Sequence, residues 1–372
     1  MRNAILILFF LHGSIHLLGF VKGLGLGNWK GADFDVSRWM GWTWLLAALF
    51  CWLFTGLAAA KLPQAWWIGL LALLLSQILI VCYWKAARFG TLPNILLLAF
   101  CISGLARQRF QERVAEAEAL IQGVAAVSEA GLRGKEALAQ LPAPVSRWLR
   151  QTGVLDKPPL LGGRLEQHAF MQMKPGQASW LEASAVQHTR TDEPAFLWAV
   201  DVPVKGLFHL LGMDRYKAGK GAMHISVHGL FPIVNAQGPK LDEGTLQRFL
   251  GEMVWFPDMA LAPYIRWEAV DDSTARAHMA YGAASAAGTF HFGPAGEVKR
   301  FSALRFQGNE PDARRFPWIM EIQEHRVFDG IRIPSRMTST WKLDSGDWTW
   351  LKLELTRMDY RYATAGSENN KN

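Results

Sequence analysis

Cysteine is scarce in this chain, with only Cys51, Cys82 and Cys101 among 372 residues. All three lie in long apolar stretches of the first 106 residues, so the rest of the chain contains none. That absence excludes disulfide bonds and cysteine-ligated metal sites from the C-terminal part. It does not fix the compartment, because a cysteine-free domain suits both reducing and oxidising surroundings.

Charge is equally scarce near the N-terminus. Between Trp39 and Trp84 the only charged residue is Lys61. A membrane-spanning helix needs about 20 apolar residues. We therefore predict a four-helix membrane unit over residues 1–106. The apolar blocks that predict its helices are 3–21, 40–60, 65–84 and 92–106.

The first apolar block is interpreted as a retained helix and not as a signal peptide. Its apolar run continues past Leu17 and Phe20, and no small-residue cleavage site follows. With three further blocks after it, we expect a multi-pass membrane protein. The flanking basic residues divide five against five between the two sides, so the positive-inside rule leaves the side of the soluble domain open.

The distribution of net charge argues against a nucleic-acid partner. The chain carries +7 overall. Residues 1–106 hold seven basic and two acidic residues, a net of +5, whereas the remainder holds 32 and 30, a net of +2. The basic character therefore belongs to the membrane flanks, and we expect no basic face on the soluble part.

After residue 106 the chain becomes soluble in character. Apolar residues at helical spacing predict a helical connector over 107–155. Period-two alternation then predicts about ten strands over 156–362, joined mostly by short connections, which favours an antiparallel sheet. The polar residues 363–372 predict a disordered tail.

One helical segment, 242–256, interrupts the predicted strands. It begins with acidic residues, carries apolar residues on one side and ends at Pro257. A helix between the strands of a long curved sheet predicts a half-barrel that the helix caps. The predicted fold class is therefore a membrane four-helix unit followed by a β-rich α+β domain.

His12 and His16 are the unusual residues of the apolar region. They stand four positions apart, so they lie on one face of the first helix, and ionisable residues in a membrane suggest function. Three interpretations are open. The two histidines are ligands of a haem or metal, they belong to a proton path, or they are neutral imidazoles bonded to neighbouring helices. No other histidine occurs in the four blocks, and we predict neither a metal nor a cofactor.

Arg248 and Glu252 also stand four positions apart, on the predicted helix 242–256. The pair is either an ordinary surface ion pair or a partly buried pair at the mouth of a cavity. Asp214 and Tyr216 lie in a glycine-rich segment that predicts a turn. Short motifs of serine hydrolases, zinc peptidases and P-loop proteins are absent, so we assign no catalytic residue and leave open whether the protein is an enzyme.

Tryptophan is abundant by contrast, and nine of the 17 tryptophans follow residue 106. They form either a large β core or the wall of a cavity for an apolar ligand. In the second interpretation, Arg248 or Arg266 is available to an anionic headgroup. The predicted ligand-binding residues are Trp198, Tyr216, Arg248, Glu252, Trp255, Arg266 and Trp267.

Several segments, in order, resemble a bacterial family of membrane-anchored proteins of unknown function. The resemblance covers roughly 140–345. It implies a location in the bacterial inner membrane, and it implies no activity. Many relatives have a single membrane span, whereas this chain has four apolar blocks. The segments are LPAPVSRWLR at 141–150, Phe196 with Trp198, DRYKAGKGAM at 214–223, RFLGEMVWFP at 248–257, RWEAVDDSTARA at 266–277, Pro317 with Trp318, RIP at 332–334, and Trp341.

More loosely, the rhythm of strands around a capping helix is similar to the half-barrels of periplasmic lipoprotein-carrier and sorting proteins, which hold acyl chains. We therefore expect a protein that binds a lipid or other apolar ligand, with membrane lipids as partners. Two alternatives stay open. One is an enzyme acting on a membrane-derived substrate, with Asp214, Glu252 or Asp271 as acid or base, and the other is a structural module for an unidentified protein partner.

Overall fold

The computed structural model describes residues 2–26, 35–122, 138–204 and 208–363. Part of the predicted connector, 123–137, and residues 364–372 of the predicted tail lie outside the described residues. The chain divides into two compact units. The first comprises residues 2–112 with 228–230, and the second comprises the rest.

The first unit is helical, and each helix satisfies its backbone hydrogen bonds within its own segment. Within the residues that the structure covers, four helices are long and apolar enough to cross a membrane: Arg2–Gly23, Arg38–Ala59, Ala65–Cys82 and Trp84–Gln122. Its described helices are α1 (Arg2–Gly23), α2 (Arg38–Ala59), α3 (Ala65–Cys82), the short α4 (Trp84–Ala87) and α5 (Thr91–Gln122).

Glycines allow α1 and α2 to approach closely. A Cβ atom added to Gly23 would lie 2.6 Å from the Cα of Gly41, and one added to Gly19 would lie 2.3 Å from the ring of Trp44. Neither position therefore accepts a larger residue without a shift of the neighbour. Contact through small residues is how apolar helices associate in a bilayer.

The first described helix that lies wholly in the second unit is α6 (Ala143–Thr152), which ends at Gly153 in the left-handed conformation with φ of 76°. Over the described residues, thirteen antiparallel strands then form one sheet in the order β6-β5-β4-β3-β2-β1-β13-β12-β11-β10-β9-β8-β7. The first and last strands are therefore neighbours inside the sheet, and β6 and β7 are its edges. The strands are β1 (Leu160–Met171), β2 (Leu181–Arg190), β3 (Ala195–Val204), β4 (Phe208–Lys217), β5 (Lys220–Val227), β6 (Phe231–Gln237), β7 (Ile265–Asp271), β8 (Thr274–Tyr281), β9 (Ala284–Phe292), β10 (Val298–Phe306), β11 (Arg315–Phe328), β12 (Ile331–Leu343) and β13 (Gly346–Tyr362).

Helix α7 (Pro239–Gly251) joins the two edge strands and contacts strands from both ends of the sheet, including β5, β9 and β10. Its Leu246, Phe249 and Leu250 are fully buried, so the helix belongs to the core of the curved sheet. A 3-10 turn, Glu252–Trp255, continues it. The predicted α+β fold, with a curved antiparallel sheet and a helix against it, is confirmed.

The number of strands differs from the sequence prediction because one charged segment is a hairpin. The segment predicted as a turn around Asp214 and Tyr216 forms β4 and the start of β5, joined by Ala218 and Gly219 with positive φ. Asp214 and Tyr216 are buried, whereas Arg215 is only half-buried. The period-two pattern of inward and outward residues was therefore present in the sequence. It was hard to recognise because one of the inward residues, Asp214, is charged.

Candidate ligand-binding cavity

The second unit contains a cavity of about 330 Å³ between the end of α7 and the inner face of the sheet. Ligand-binding pockets commonly measure roughly 300–1,000 Å³. The lining comes from β1, β3, β4, β5 and β10–β13, together with Arg248, Glu252 and Trp255 beside the helix end. The cavity therefore lies where the two arms of the sheet face the same helix.

Tryptophan and methionine supply 11 of the 25 residues that line the cavity. Methionine is flexible and adapts to irregular apolar partners, while tryptophan offers large rigid surfaces. The wall is therefore suited to hydrocarbon of varied shape. Among the described residues, the lining tryptophans are Trp198, Trp255, Trp318, Trp341, Trp348 and Trp350, and the lining methionines are Met171, Met173, Met223, Met320 and Met337.

Strand alternation and register explain the wall near β3 and β4. Trp198, Val200 and Val202 point the same way along β3, because side chains alternate with period two. Trp198 pairs with Asp214 across the strands, and Val200 pairs with Gly212. A Cβ atom at Gly212 would lie 2.8 Å from a methyl carbon of Val200, so glycine preserves free space at this point.

A charged cluster lies at the helix side of the cavity. The Nη1 of Arg248 is 2.9 Å from Oδ2 of Asp214, and its Nε is 2.7 Å from Oε1 of Glu252. Gln187 accepts a hydrogen bond from Nη2 of Arg248 at 3.1 Å and donates one to Glu252 at 2.7 Å. The three charged side chains are only 10–13% exposed, so they are paired within the protein and largely withdrawn from solvent.

Aromatic rings complete the surroundings of Arg248. Its guanidinium carbon lies 4.9 Å from the ring centroids of both Phe196 and Trp198, a distance at which cation–π attraction operates. Burial raises the pKa of the Asp214 carboxyl, although Arg248 and Arg305 act in the opposite direction. The cluster therefore balances loss of solvation against close opposite charge.

Two of the lining tryptophans hold unused hydrogen-bond donors. Trp198, Trp255 and Trp350 donate their indole N–H groups to Gln167, to the carbonyl of Pro334 and to Ser339, respectively. The buried Nε1 atoms of Trp318 and Trp348 have no partner in the part of the chain that the structure describes. Buried polar atoms normally have hydrogen-bond partners, so these two indole N–H groups are donors that the described part of the protein leaves unused.

Four of the predicted ligand-binding residues come together at the cavity, namely Trp198, Arg248, Glu252 and Trp255. Tyr216 lies close by but outside the lining. It is fully buried, its ring is 6.5 Å from that of Phe196, and its hydroxyl has no described partner. Burial raises the pKa of Tyr216.

The other two predicted residues, Arg266 and Trp267, lie on β7, away from the cavity. Trp267 packs on Phe290, with 5.4 Å between ring centroids, and donates to the carbonyl of Ala260 at 3.0 Å. Arg266 lines a separate, open and more polar groove with Arg276.

Asp271 does not join the other two candidate acid–base residues. It is exposed at the end of β7 and accepts a hydrogen bond from the backbone N–H of Ser273 at 2.7 Å, which lowers its pKa. Only Asp214 and Glu252 therefore share a site.

Arg305 is a cavity residue that the sequence analysis did not identify. Phe301 and Ala303 are buried on β10, and Arg305 follows them at the same spacing. Strand alternation therefore supplied the signal that Arg305 faces inward.

The first unit contains a separate polar cluster. The Nε2 atoms of His12 and His16 lie 3.0 and 2.9 Å from the hydroxyl of Ser76, which also contacts Asn94 at 3.2 Å. All four residues are buried. No group of three or more metal-binding side chains occurs in the described residues. This geometry agrees with the alternative in which the imidazoles bond to neighbouring helices.

Comparison with known families gives one match over most of the second unit. The model of DUF6544, a family of unknown function, matches residues 132–353, more than half of the chain. This chain belongs to the DUF6544 family. The resemblance to a family of unknown function, predicted from ordered motifs, is thereby confirmed. No curated protein matches the chain.

Two solved structures are similar to this DUF6544 protein. A LolA superfamily protein from Nitrosomonas europaea is 12% identical, with a TM-score of 0.34, and the match covers 60% of this chain and 95% of that one. A β-barrel-like protein of the domain of unknown function DUF1849, from Brucella abortus, is 10% identical, with a TM-score of 0.25, over 55% of this chain and 100% of that one.

Proposed function

We propose that this DUF6544 protein binds a lipid or another apolar ligand in the cavity between α7 and the curved sheet. The observation that carries the proposal is an apolar wall that surrounds space instead of filling it. Packed interiors contain few voids larger than a water molecule, and cavity volume lowers stability by about 24 cal/mol per Å³. A cavity of about 330 Å³ with this lining is expected where a ligand occupies it.

The four apolar helices support a membrane source for the ligand. We propose that they anchor the protein as a multi-pass protein of the bacterial inner membrane, with membrane lipids as partners. In this proposal residues 1–106 are the anchor, 107–155 the connector and 156–362 the ligand-binding domain. Anchoring places the cavity beside its ligand source, and burial of the ligand contributes about 25 cal/mol per Å² of apolar surface.

The arrangement of Asp214 and Glu252 supports binding over acid–base catalysis. Both carboxylates contact Arg248, and Glu252 also accepts from Gln187. A general acid or base must be free to reach the proton that it transfers. Here the carboxylates instead hold Arg248 in place at the cavity wall.

The test is recovery of ligand from the full chain after extraction in a mild, neutral detergent. Lipid extracts of the purified protein are analysed by mass spectrometry, and an equimolar apolar species is expected. The variants Val202→Phe and Met223→Trp place bulk in the cavity and should abolish recovery. Val327→Phe, at a position that is 63% exposed on β11, is the matched control and should retain the ligand.

Two outcomes would contradict the proposal. One is wild-type protein that carries no apolar species above the detergent background. The other is equal recovery from the cavity-filled variants and from Val327→Phe, which would place any lipid elsewhere on the protein.

A further inference from the structure

Arg305 differs from Arg248 although both line the cavity. Arg248 is engaged by two carboxylates and an amide. In the part of the chain that the structure describes, no acceptor lies within hydrogen-bond distance of Arg305. A guanidinium presents five N–H donors, so Arg305 brings unused donors and a charge to an apolar cavity.

The guanidinium of Arg305 is nevertheless held in a defined position. Its central carbon lies 4.7 Å from the ring centroid of Trp318 and 5.8 Å from that of Trp341. On another side it lies against Gly244 of α7, where an added Cβ would be 3.1 Å from Nε of Arg305. Rings and helix therefore contact the guanidinium without satisfying its donors.

The charge of Arg305 persists at neutral pH. Burial and the neighbouring Arg248 lower its pKa to about 10, while Asp214 and Glu252 act to raise it. A half-buried cation in an apolar cavity, with no hydrogen-bonding partner among the described residues, is unfavourable unless water or a ligand meets its donors. A bound anion would remove that penalty.

We propose that Arg305 binds the anionic headgroup, a carboxylate or a phosphate, of an amphiphile whose hydrocarbon occupies the tryptophan-lined cavity. This inference rests on the proposed function and names its ligand class. Guanidinium groups match carboxylate and phosphate with paired hydrogen bonds. The cavity of about 330 Å³ lies within the usual range of ligand pockets, so it has room for a hydrocarbon chain.

A purely structural role for Arg305 makes a different prediction. If it only balances the second carboxylate of the cluster, its removal lowers stability and weakens all ligands equally. If it binds a headgroup, its removal weakens anionic ligands alone. Selectivity between ligands with the same chain therefore separates the two roles.

The experiment uses the full chain in phosphatidylcholine nanodiscs, with empty discs as the background. Equilibrium dialysis measures binding of radiolabelled dodecanoate, dodecyl phosphate and dodecanol, which share a chain and differ in the headgroup. Acetate and inorganic phosphate are added as competitors that carry the headgroup without the chain. We expect both anionic probes to bind more tightly than dodecanol, and neither chain-free anion to compete.

Arg305→Met should lower the affinity for dodecanoate and dodecyl phosphate by about tenfold or more, the loss of a charge-assisted hydrogen bond. Its affinity for dodecanol should stay within about twofold. Arg300→Met, on the exposed face of the same strand beside Glu321, is the matched control and should bind like wild type. Where Arg305→Met does not fold, Arg305→Lys keeps the charge, and it should bind dodecanoate more weakly than wild type yet still prefer it to dodecanol.

Several outcomes would overturn the inference. Equal wild-type affinity for dodecanol and dodecanoate, equal losses for both in Arg305→Met, or a loss of preference in Arg305→Lys would each remove the headgroup role. Competition by acetate or inorganic phosphate would indicate a site for a small free anion. Absence of binding by every chain-bearing probe would instead defeat the proposed function itself.

Discussion

Each unit of this protein buries a polar cluster, but one cluster consists of neutral groups and the other of charges. In the first unit two imidazoles share the hydroxyl of Ser76. In the second unit Arg248 joins two carboxylates, Asp214 and Glu252. Ionised groups are costly among apolar helices in a membrane. A sheet with an internal cavity can hold them, because close opposite charges and amide partners surround the guanidinium.

The largest expected effect is on the charged cluster. Arg248→Met should destabilise the second unit by about 3–5 kcal/mol, because it leaves two buried carboxylates without their partner. The measurement is chemical unfolding of the full chain in detergent, followed by tryptophan fluorescence. Arg300→Met, which breaks an exposed pair with Glu321, should change stability by no more than about 0.5 kcal/mol. Equal losses of stability for the two substitutions would show that the buried cluster contributes no more to stability than an exposed ion pair.

The loss of stability in Arg248→Met should also depend on pH. Burial already raises the pKa of Asp214, and loss of the neighbouring cation raises it further. A carboxyl with a raised folded-state pKa stabilises the fold below that pKa, and its contribution is lost as the pH rises through it. The stability deficit of Arg248→Met should therefore shrink as the pH falls from 7 towards 4, measured against wild type at each pH. A deficit that grows on acidification would contradict this assignment.

A smaller effect is expected in the neutral cluster. Ser76→Ala removes the hydroxyl that both imidazoles contact, and it should cost about 1 kcal/mol, as for hydrogen bonds between membrane helices. The midpoint of thermal unfolding of the helical unit provides the measurement. Ser14→Ala, which removes only an exposed hydrogen bond to the carbonyl of Phe10, is the matched control. A loss as large as that of Arg248→Met would show that the histidine cluster carries charge.

The effect that is smallest at neutral pH concerns His325, which lies outside both clusters. Burial, followed by Arg332, lowers the pKa of His325 from 6.5 to about 4. Between these values the unfolded chain binds a proton that the folded chain does not, so stability falls as the pH decreases from 6.5 to about 4. His325→Gln should lose less stability on acidification than wild type, measured as the change in melting temperature between the two pH values. Identical changes would exclude this histidine as a source of acid sensitivity.

Local patterns in the sequence account for much of the fold. The apolar blocks predicted the helices of the first unit, and alternation predicted most of the strands. Strand β4 was missed because Asp214 is a charged residue on the inner face. Burial of an aspartate depends on Arg248, 34 positions away, and no local pattern contains that partner.

The cavity was only partly predictable for a similar reason. Trp198 and Trp255 were selected for their residue type, and both line it. Trp267 was selected on the same ground but packs on Phe290. Which tryptophans face open space depends on sheet curvature and on pairings between distant strands. Arg305 was missed because a charged residue on a strand is normally expected on the exposed face. Arg305 instead lies on the inner face of β10, in line with Phe301 and Ala303.

The pairing of β1 with β13 determines how the sheet responds to loss of its C-terminus. Thr356 of β13 bonds to the carbonyl of Glu166 in β1, 190 positions earlier in the chain. A chain that stops before Gly346 would therefore not have a shorter sheet but two separate ones, β1–β6 and β7–β12. Each would expose an unpaired strand edge, a template for aggregation. A nascent chain passes through the same state, because β1 leaves the ribosome long before its second partner is made, and such distant pairings form slowly.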